Sequence, residues 1–171
     1  MATKTRKRKP RQTKAAAPAT PAYTVEIAGT DERSFRDVFD LILAEHAEVA
    51  YEPLAPEKAA ENCYRTLEGG MTLIARDAEG TAIGTLGIIE LPYWYSHGTY
   101  LQDVWLYVAP EHRGGGVLRA MLTKAKEFAD ARNKILIATI ANPNRRIKKT
   151  ALGLVAQEAG YVPFMYSLRV A

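Results

Sequence analysis

The sequence predicts an α/β fold: a mixed, mostly antiparallel central sheet with one parallel β-α-β crossover and helices on both faces. Three observations carry that expectation. Residues 71–108 hold three β-rich runs separated by short turn-forming segments, which read as an antiparallel meander. Residues 101–141 read strand, helix, strand, a unit that joins parallel neighbours. Amphipathic helical patterns before the meander, inside the crossover and after it supply cover for both faces of the sheet.

Taken in order, Tyr23–Ile27 alternates as a short strand, and Gly29 turns the chain. Thr30 is placed to cap a helix whose first turn holds Asp31 and Glu32, with Phe35, Val38, Phe39 and Ile42 on its apolar face and Leu41 beside it. Pro53 and Pro56 interrupt the pattern, and a second helix follows with Ala60, Cys63, Tyr64 and Leu67 inward, ended by Gly69-Gly70. Met71–Arg76 and Thr81–Leu91 are strands joined by the turn Asp77-Ala78-Glu79-Gly80. Gly84 and Gly87 inside the second strand predict a bulge or a close approach. An aromatic loop, Pro92–Gly98, leads to the strand Leu101–Val108. Lys134–Ala141 is apolar and β-branched, suited to parallel pairing. A last helix carries Ile147, Thr150, Ala151, Leu154 and Val155, ends at Gly160, and is followed by one or two strands over Tyr161–Val170.

The chain is organised around the join between Leu101–Val108 and the helix that follows. Pro110 forbids further pairing and Gly114-Gly115-Gly116 come at once. From Val117 the apolar residues fall at 117, 118, 121, 122, 125, 128 and 129, one helical face, until Asn133 ends it. Strand, glycines and helix make an anion site. The first helix amides have no internal partner, the dipole is positive there, and glycine lets a phosphate approach the backbone. Arg113 adds charge at the mouth. A P-loop needs Lys followed by Ser or Thr after its last glycine, where Val117-Leu118 stand. A dinucleotide fingerprint needs a third glycine and an acid after the next strand, where Asn142 stands. Both of those phosphate readings fail.

Val108, Pro110, Arg113, Gly114 and Gly116 stand at the spacing Val-x-Pro-x-x-Arg-Gly-x-Gly, with an amphipathic helix behind them. The chain thus resembles the GCN5-related N-acetyltransferases, the GNAT family, and its element order over residues 23–170 is similar to theirs. The resemblance implies acetyl-CoA as cofactor, with its pyrophosphate on the amides of Arg113, Gly114, Gly115, Gly116 and Val117. It implies that the strand ending Leu106-Tyr107-Val108 splays from its neighbour to bond the pantetheine arm. Two positions depart from the family pattern near chemistry: Leu118 stands where a small residue is usual, and Ala156 where many members carry a proton-donating tyrosine. Lys149 likewise replaces a frequent asparagine. Without the tyrosine, protonation of the thiolate falls to water or to another tyrosine such as Tyr166. The triple glycine followed by Val-Leu is also similar to small GNATs encoded by bacteriophages.

Acetyl transfer needs a deprotonated amine, a polarised thioester carbonyl and a proton for the leaving thiolate. Strand parity sorts Asp103, Trp105 and Tyr107 to one face and Val104, Leu106 and Val108 to the other. Asp103 is the first candidate for orienting or deprotonating the amine, and Glu90 the rival base. A central-strand amide near Leu106 or Tyr107 is the expected oxyanion contact. His97 ranks below the carboxylates, and His112 reads as loop surface or a phosphate contact. Tyr93, Trp94 and Tyr95 are read either as a wall of the acceptor pocket or as a patch for a partner.

Composition bounds the rest. A chain of 171 residues, 47% hydrophobic, is enough for one domain with a real core. A single Cys63 excludes an intramolecular disulfide and a Cys-based zinc site, and the three histidines show no metal-ligand spacing. With no signal-peptide core or membrane-length run, the expected home is the cytoplasm, or a host cytoplasm or virion for a phage protein. The net charge is +4, yet residues 1–22 hold seven basic and no acidic side chains, which leaves the body at −3. Residues 1–22 read as a disordered basic tail and 23–171 as the GNAT-like domain. The function expected is acetyl transfer to a primary amine, on a small molecule, a protein lysine or an N-terminus. The alternative is a catalytically weak GNAT-fold module, held in an oligomer or assembly or on nucleic acid through residues 4–14.

Overall fold

A computed structural model describes residues 22–49 and 52–138. Within them run β1 (Tyr23–Ile27), α1 (Glu32–Val49), α2 (Pro56–Gly69), β2 (Met71–Asp77), β3 (Ala82–Pro92) and β4 (Thr99–Val108). A 3-10 turn (Pro110–His112), α3 (Val117–Ala131) and β5 (Leu136–Ile137) follow. The sheet order is β1-β2-β3-β4-β5. Its first three junctions are antiparallel and the last is parallel, pairing Leu101 with Leu136 and Gln102 with Ile137. The expected mixed sheet and crossover are both present. The tail through residue 21, the rest of the strand beyond Ala138, and the last helix and strands lie outside the described residues, as do Lys149, Ala156 and Tyr166.

The helices divide between the faces as amphipathic patterning requires. Val38 of α1 and Cys63 and Leu67 of α2 form one core with Ile74 and Trp105 of the sheet. Val117, Met121, Ala125 and Ala129 of α3 form the other with Leu73, Leu86 and Ile88. Asp31 rather than Thr30 ties down the start of α1. Its carboxylate accepts from the Ser34 amide at 3.0 Å and from Ser34 Oγ at 2.7 Å. Tyr64, expected inward, is exposed, although its ring stacks on Phe35 at 4.3 Å; Thr66 takes the inward place beside Leu67.

Two extra residues break the meander's regularity, Ile83 in β3 and Val104 in β4. Trp105 stands opposite Gly87 and Asp103 opposite Ile88, so Val104 has no partner. Strict parity across residues 103–107 therefore fails. Trp105 belongs to the α1 side, whereas Asp103 lies across from a residue of the α3-side core. Gly87 makes room for the indole, since a Cβ there would sit 2.4 Å from the ring, and the indole N–H donates to Thr85 Oγ1 at 3.1 Å.

Candidate functional site

The chain leaves β4 through the 3-10 turn, closed by the His112 amide on Ala109 O at 2.9 Å and the Arg113 amide on Pro110 O at 3.3 Å. Gly114 and Gly116 then adopt φ of +87° and +91°, left-handed values that cost other residues about 1–2 kcal/mol. Gly116 caps α3 with no side-chain hydrogen bond, and its carbonyl accepts from Ala120 at 3.0 Å. Among the described residues, the amides of Gly114, Gly115 and Gly116 donate to no backbone carbonyl. Donors left over at the positive end of a 15-residue helix make an anion cradle. The space around it is open at two of the glycines and tight at the third: a Cβ on Gly114 would meet nothing within 4 Å, one on Gly115 only His112 O at 3.5 Å, and one on Gly116 would meet Tyr23 Oη at 2.9 Å. These residues fit a phosphate-bearing donor. Val117 is buried, and Leu118 packs against the α3-side core, which absorbs its bulk.

Arg113 does more than lend charge to the mouth. Its Nε donates to Val108 O at 2.8 Å, and its two terminal nitrogens grip the Glu48 carboxylate at 2.8 and 2.5 Å. The guanidinium also lies 5.5 Å from the centroid of the Tyr107 ring. Arg113 is thus a strut from the end of α1 to the end of β4. Its charge is compensated by Glu48, a bidentate pairing that also raises the guanidinium's proton affinity.

The feature missed in the sequence is Glu45. Its carboxylate lies beside the backbone of Leu106, the strand residue whose amide is expected to face a thioester. Burial pushes its pKa up to about 7; the nearby Leu106 backbone opposes that rise, and the charges of Asp103 and Glu48 add to it. Asp103 is buried, and Tyr107 beside them is buried with its phenol pushed up by desolvation. A signal for Glu45 existed: it continues the stripe Phe35, Val38, Ile42 at helical spacing, where a charge is out of place.

Glu90 sits elsewhere. It pairs across from Leu101, five residues before Leu106, or roughly 17 Å along the strand at about 3.3 Å per residue. Lys134 Nζ, at 2.8 Å, holds its pKa below the usual range, and Thr99 Oγ1, at 2.5 Å, adds to this. The aromatic loop occupies the same remote end. Tyr93 packs against Tyr95 and Tyr100 at 5.2 and 4.9 Å, while Trp94 is 94% exposed and His97 is exposed. The loop lies at the opposite end of β4 from the glycines. Among the described residues there is no group of three or more potential metal ligands and no helix long and apolar enough to cross a membrane.

The family model for the acetyltransferase (GNAT) family matches residues 35–151, most of the chain. This chain is a GNAT. Solved structures share the fold at low identity. A predicted acetyltransferase with acetyl-CoA from Clostridium acetobutylicum superposes with TM-score 0.65 at 16% identity, covering 87% of this chain and 96% of its own. The ribosomal-protein-alanine N-acetyltransferase of Brucella melitensis biovar Abortus gives 0.59 at 18%, covering 88% and 100%. The aminoglycoside 6′-N-acetyltransferase AAC(6′)-Ih of Acinetobacter baumannii gives 0.60 at 13%, covering 87% and 95%. No curated protein matches the sequence. GNATs use acetyl-CoA, and in this GNAT the cradle at Gly114–Gly116 is the feature suited to it.

Proposed function

We propose that this GNAT moves an acetyl group from acetyl-CoA to a primary amine by direct attack. The observation that carries the reading is the side-chain-free turn Gly114-Gly115-Gly116 with its uncommitted amides, placed where the central strand meets α3. Those amides, with Val117, would hold the pyrophosphate, Arg113 would brace the turn, and Tyr107 and Val108 would flank the pantetheine arm. When bound, acetyl-CoA supplies the thioester whose carbonyl carbon is the electrophile. The Leu106 amide would take the carbonyl oxygen, a fixed donor aimed at developing charge. The amine's proton would go to a carboxylate, Glu45 of α1 or Asp103 of β4. No acyl-enzyme is involved, because Cys63 is buried in the core and burial pushes its thiol up to about 11. Similar structures named for acceptors act on a ribosomal-protein alanine and an aminoglycoside, which supports an amine acceptor here.

The test combines acetyl-CoA thermal protection with detection of free thiol across a panel of primary amines. Protection together with thiol release from one class of amine is the expected result. Protection with no release from any amine would reassign the fold to a binding role. No protection at millimolar acetyl-CoA would refute donor binding itself.

A further inference from the structure

Resting on that reading, we infer that Tyr23 belongs to the donor site: its phenol hydroxyl donates to the pyrophosphate held by the glycine turn and favours donors that carry one. The turn is the site proposed above. What is added is a side chain brought to it from β1, three strands away from β4 in the sheet.

Tyr23 begins β1, and strand alternation puts it with Val25 on the face that packs against the α3-side core. Its place there is fixed from two directions. Backbone pairing sets Tyr23 opposite Asp77, and Lys124 Nζ of α3 donates to Val25 O, tying the strand to the helix. The phenol therefore ends at the start of α3. A Cβ on Gly116 would stand 2.9 Å from Tyr23 Oη and 3.9 Å from its Cζ. The space that a side chain at 116 would fill is already used by a hydroxyl.

Among the described residues that hydroxyl makes no hydrogen bond. Arg113, far nearer to the turn in sequence, has its guanidinium on Glu48 and Val108 O. A phenolic O–H gives its hydrogen readily to an anionic oxygen, and a donor held in place beforehand costs little ordering on binding. The distances let one phosphate oxygen take two hydrogens here. A Cβ lies about 2.5 Å from the nitrogen of its own residue, which puts Tyr23 Oη no more than about 5.4 Å from the Gly116 nitrogen. An oxygen accepting from an amide at about 2.9 Å and from a hydroxyl at about 2.7 Å spans up to about 5.6 Å. A donor that ends at pantetheine would offer Tyr23 no such oxygen.

The test is calorimetric titration of the full chain and of Tyr23→Phe, a change that removes one oxygen and keeps the ring on the core. Acetyl-CoA should bind the variant about 10–100-fold more weakly, the loss expected for a hydrogen bond to a charged group. Acetyl-3′-dephospho-CoA, which keeps the pyrophosphate, should lose affinity by the same factor. In thiol release with the best amine of the panel, the preference for acetyl-CoA over S-acetylpantetheine, read as a ratio of kcat/KM, should fall to match. Equal affinity of both forms for acetyl-CoA would overturn the inference and leave donor binding standing. A loss seen only with donors that carry the 3′-phosphate would overturn it as well. A variant damaged in its fold alone would weaken with both thioesters and keep the wild-type preference, and that result would also count against Tyr23. Wild type that binds no acetyl-CoA would refute the donor reading and this inference with it.

Discussion

Gly115→Asp is the substitution that asks the glycine turn whether it holds an anion. Gly115 is the one glycine of the three outside the left-handed region, and a Cβ on it meets only His112 O at an ordinary 3.5 Å. The free variant should therefore fold normally, helped by about 0.3–1 kcal/mol from a carboxylate near the start of α3. Donor binding is where the charge should tell. At about one hundred times its Kd, acetyl-CoA adds about 2.7 kcal/mol to the wild type. For a domain of this size that is a rise in Tm of roughly 5–11 °C. A carboxylate about 4 Å from a phosphate charge costs roughly 4 kcal/mol at an effective dielectric of about 20, a loss of about 10³ in affinity. At the same donor concentration the protection should vanish. Gly115→Ala is the control and should keep the full rise. Gly116→Asp would be a poorer probe, because its φ is +91° and its Cβ would press on Tyr23 Oη at 2.9 Å, which destabilises the free protein too. The measurement is scanning fluorimetry with and without acetyl-CoA. Equal protection of Gly115→Asp and wild type would refute the cradle.

Glu45 also links stability to pH. Its folded pKa of about 7 lies above the ordinary 4.5, so its contribution is fully present below about pH 4.5 and lost as pH rises through 7. The bound is ~3 kcal/mol, and Glu45→Gln should raise Tm more at pH 8 than at pH 5 in paired melts. Glu90→Gln should leave kcat/KM within about threefold, since an effect of general-base size, about 10²–10⁴, would return Glu90 to the chemistry. If residues 4–14 tether the protein to nucleic acid, removing residues 1–22 should abolish that binding, whose log–log salt slope should not exceed about −6 in size for seven basic residues. Equal binding by both forms in a salt titration would remove the tether reading, and acetyl transfer to a small amine should survive the truncation.

The parts of this fold that were legible in the sequence are those set by local chemistry. Val117–Ala131 followed from apolar spacing, and Asn133 does adopt φ +52°, as a residue just past a helix end should. The end of β4 at Val108 followed from Pro110, and the special backbone at Gly114 and Gly116 from glycine itself. What stayed hidden depends on partners far along the chain. Glu48 meets Arg113 across 65 positions, and Glu45 lies beside the backbone of Leu106, which has no sequence signature. Asp103 was assigned a face by counting in twos, which an unpaired Val104 defeats. Glu90 looked free because Lys134, its partner, comes 44 residues later.

The unpaired Val104 also makes the hairpin of β3 and β4 difficult to misalign. Leu101 and Val108 are seven positions apart, an odd number, yet both reach the same core because one residue between them is not counted. Sliding β4 by one place would carry both to the wrong side. Sliding it by two would take the Trp105 ring away from the gap at Gly87, the neighbour there that leaves it room. The joint is keyed, like a shaft with a slot, and admits one alignment. Val104 itself is half-exposed, so its side chain matters little while its presence in the count matters a great deal. The tolerant position and the intolerant length coincide in one residue: exchanging it should be nearly silent, and deleting it should shift every residue on one side of it, out of step with Gly87 or with the Leu106 amide.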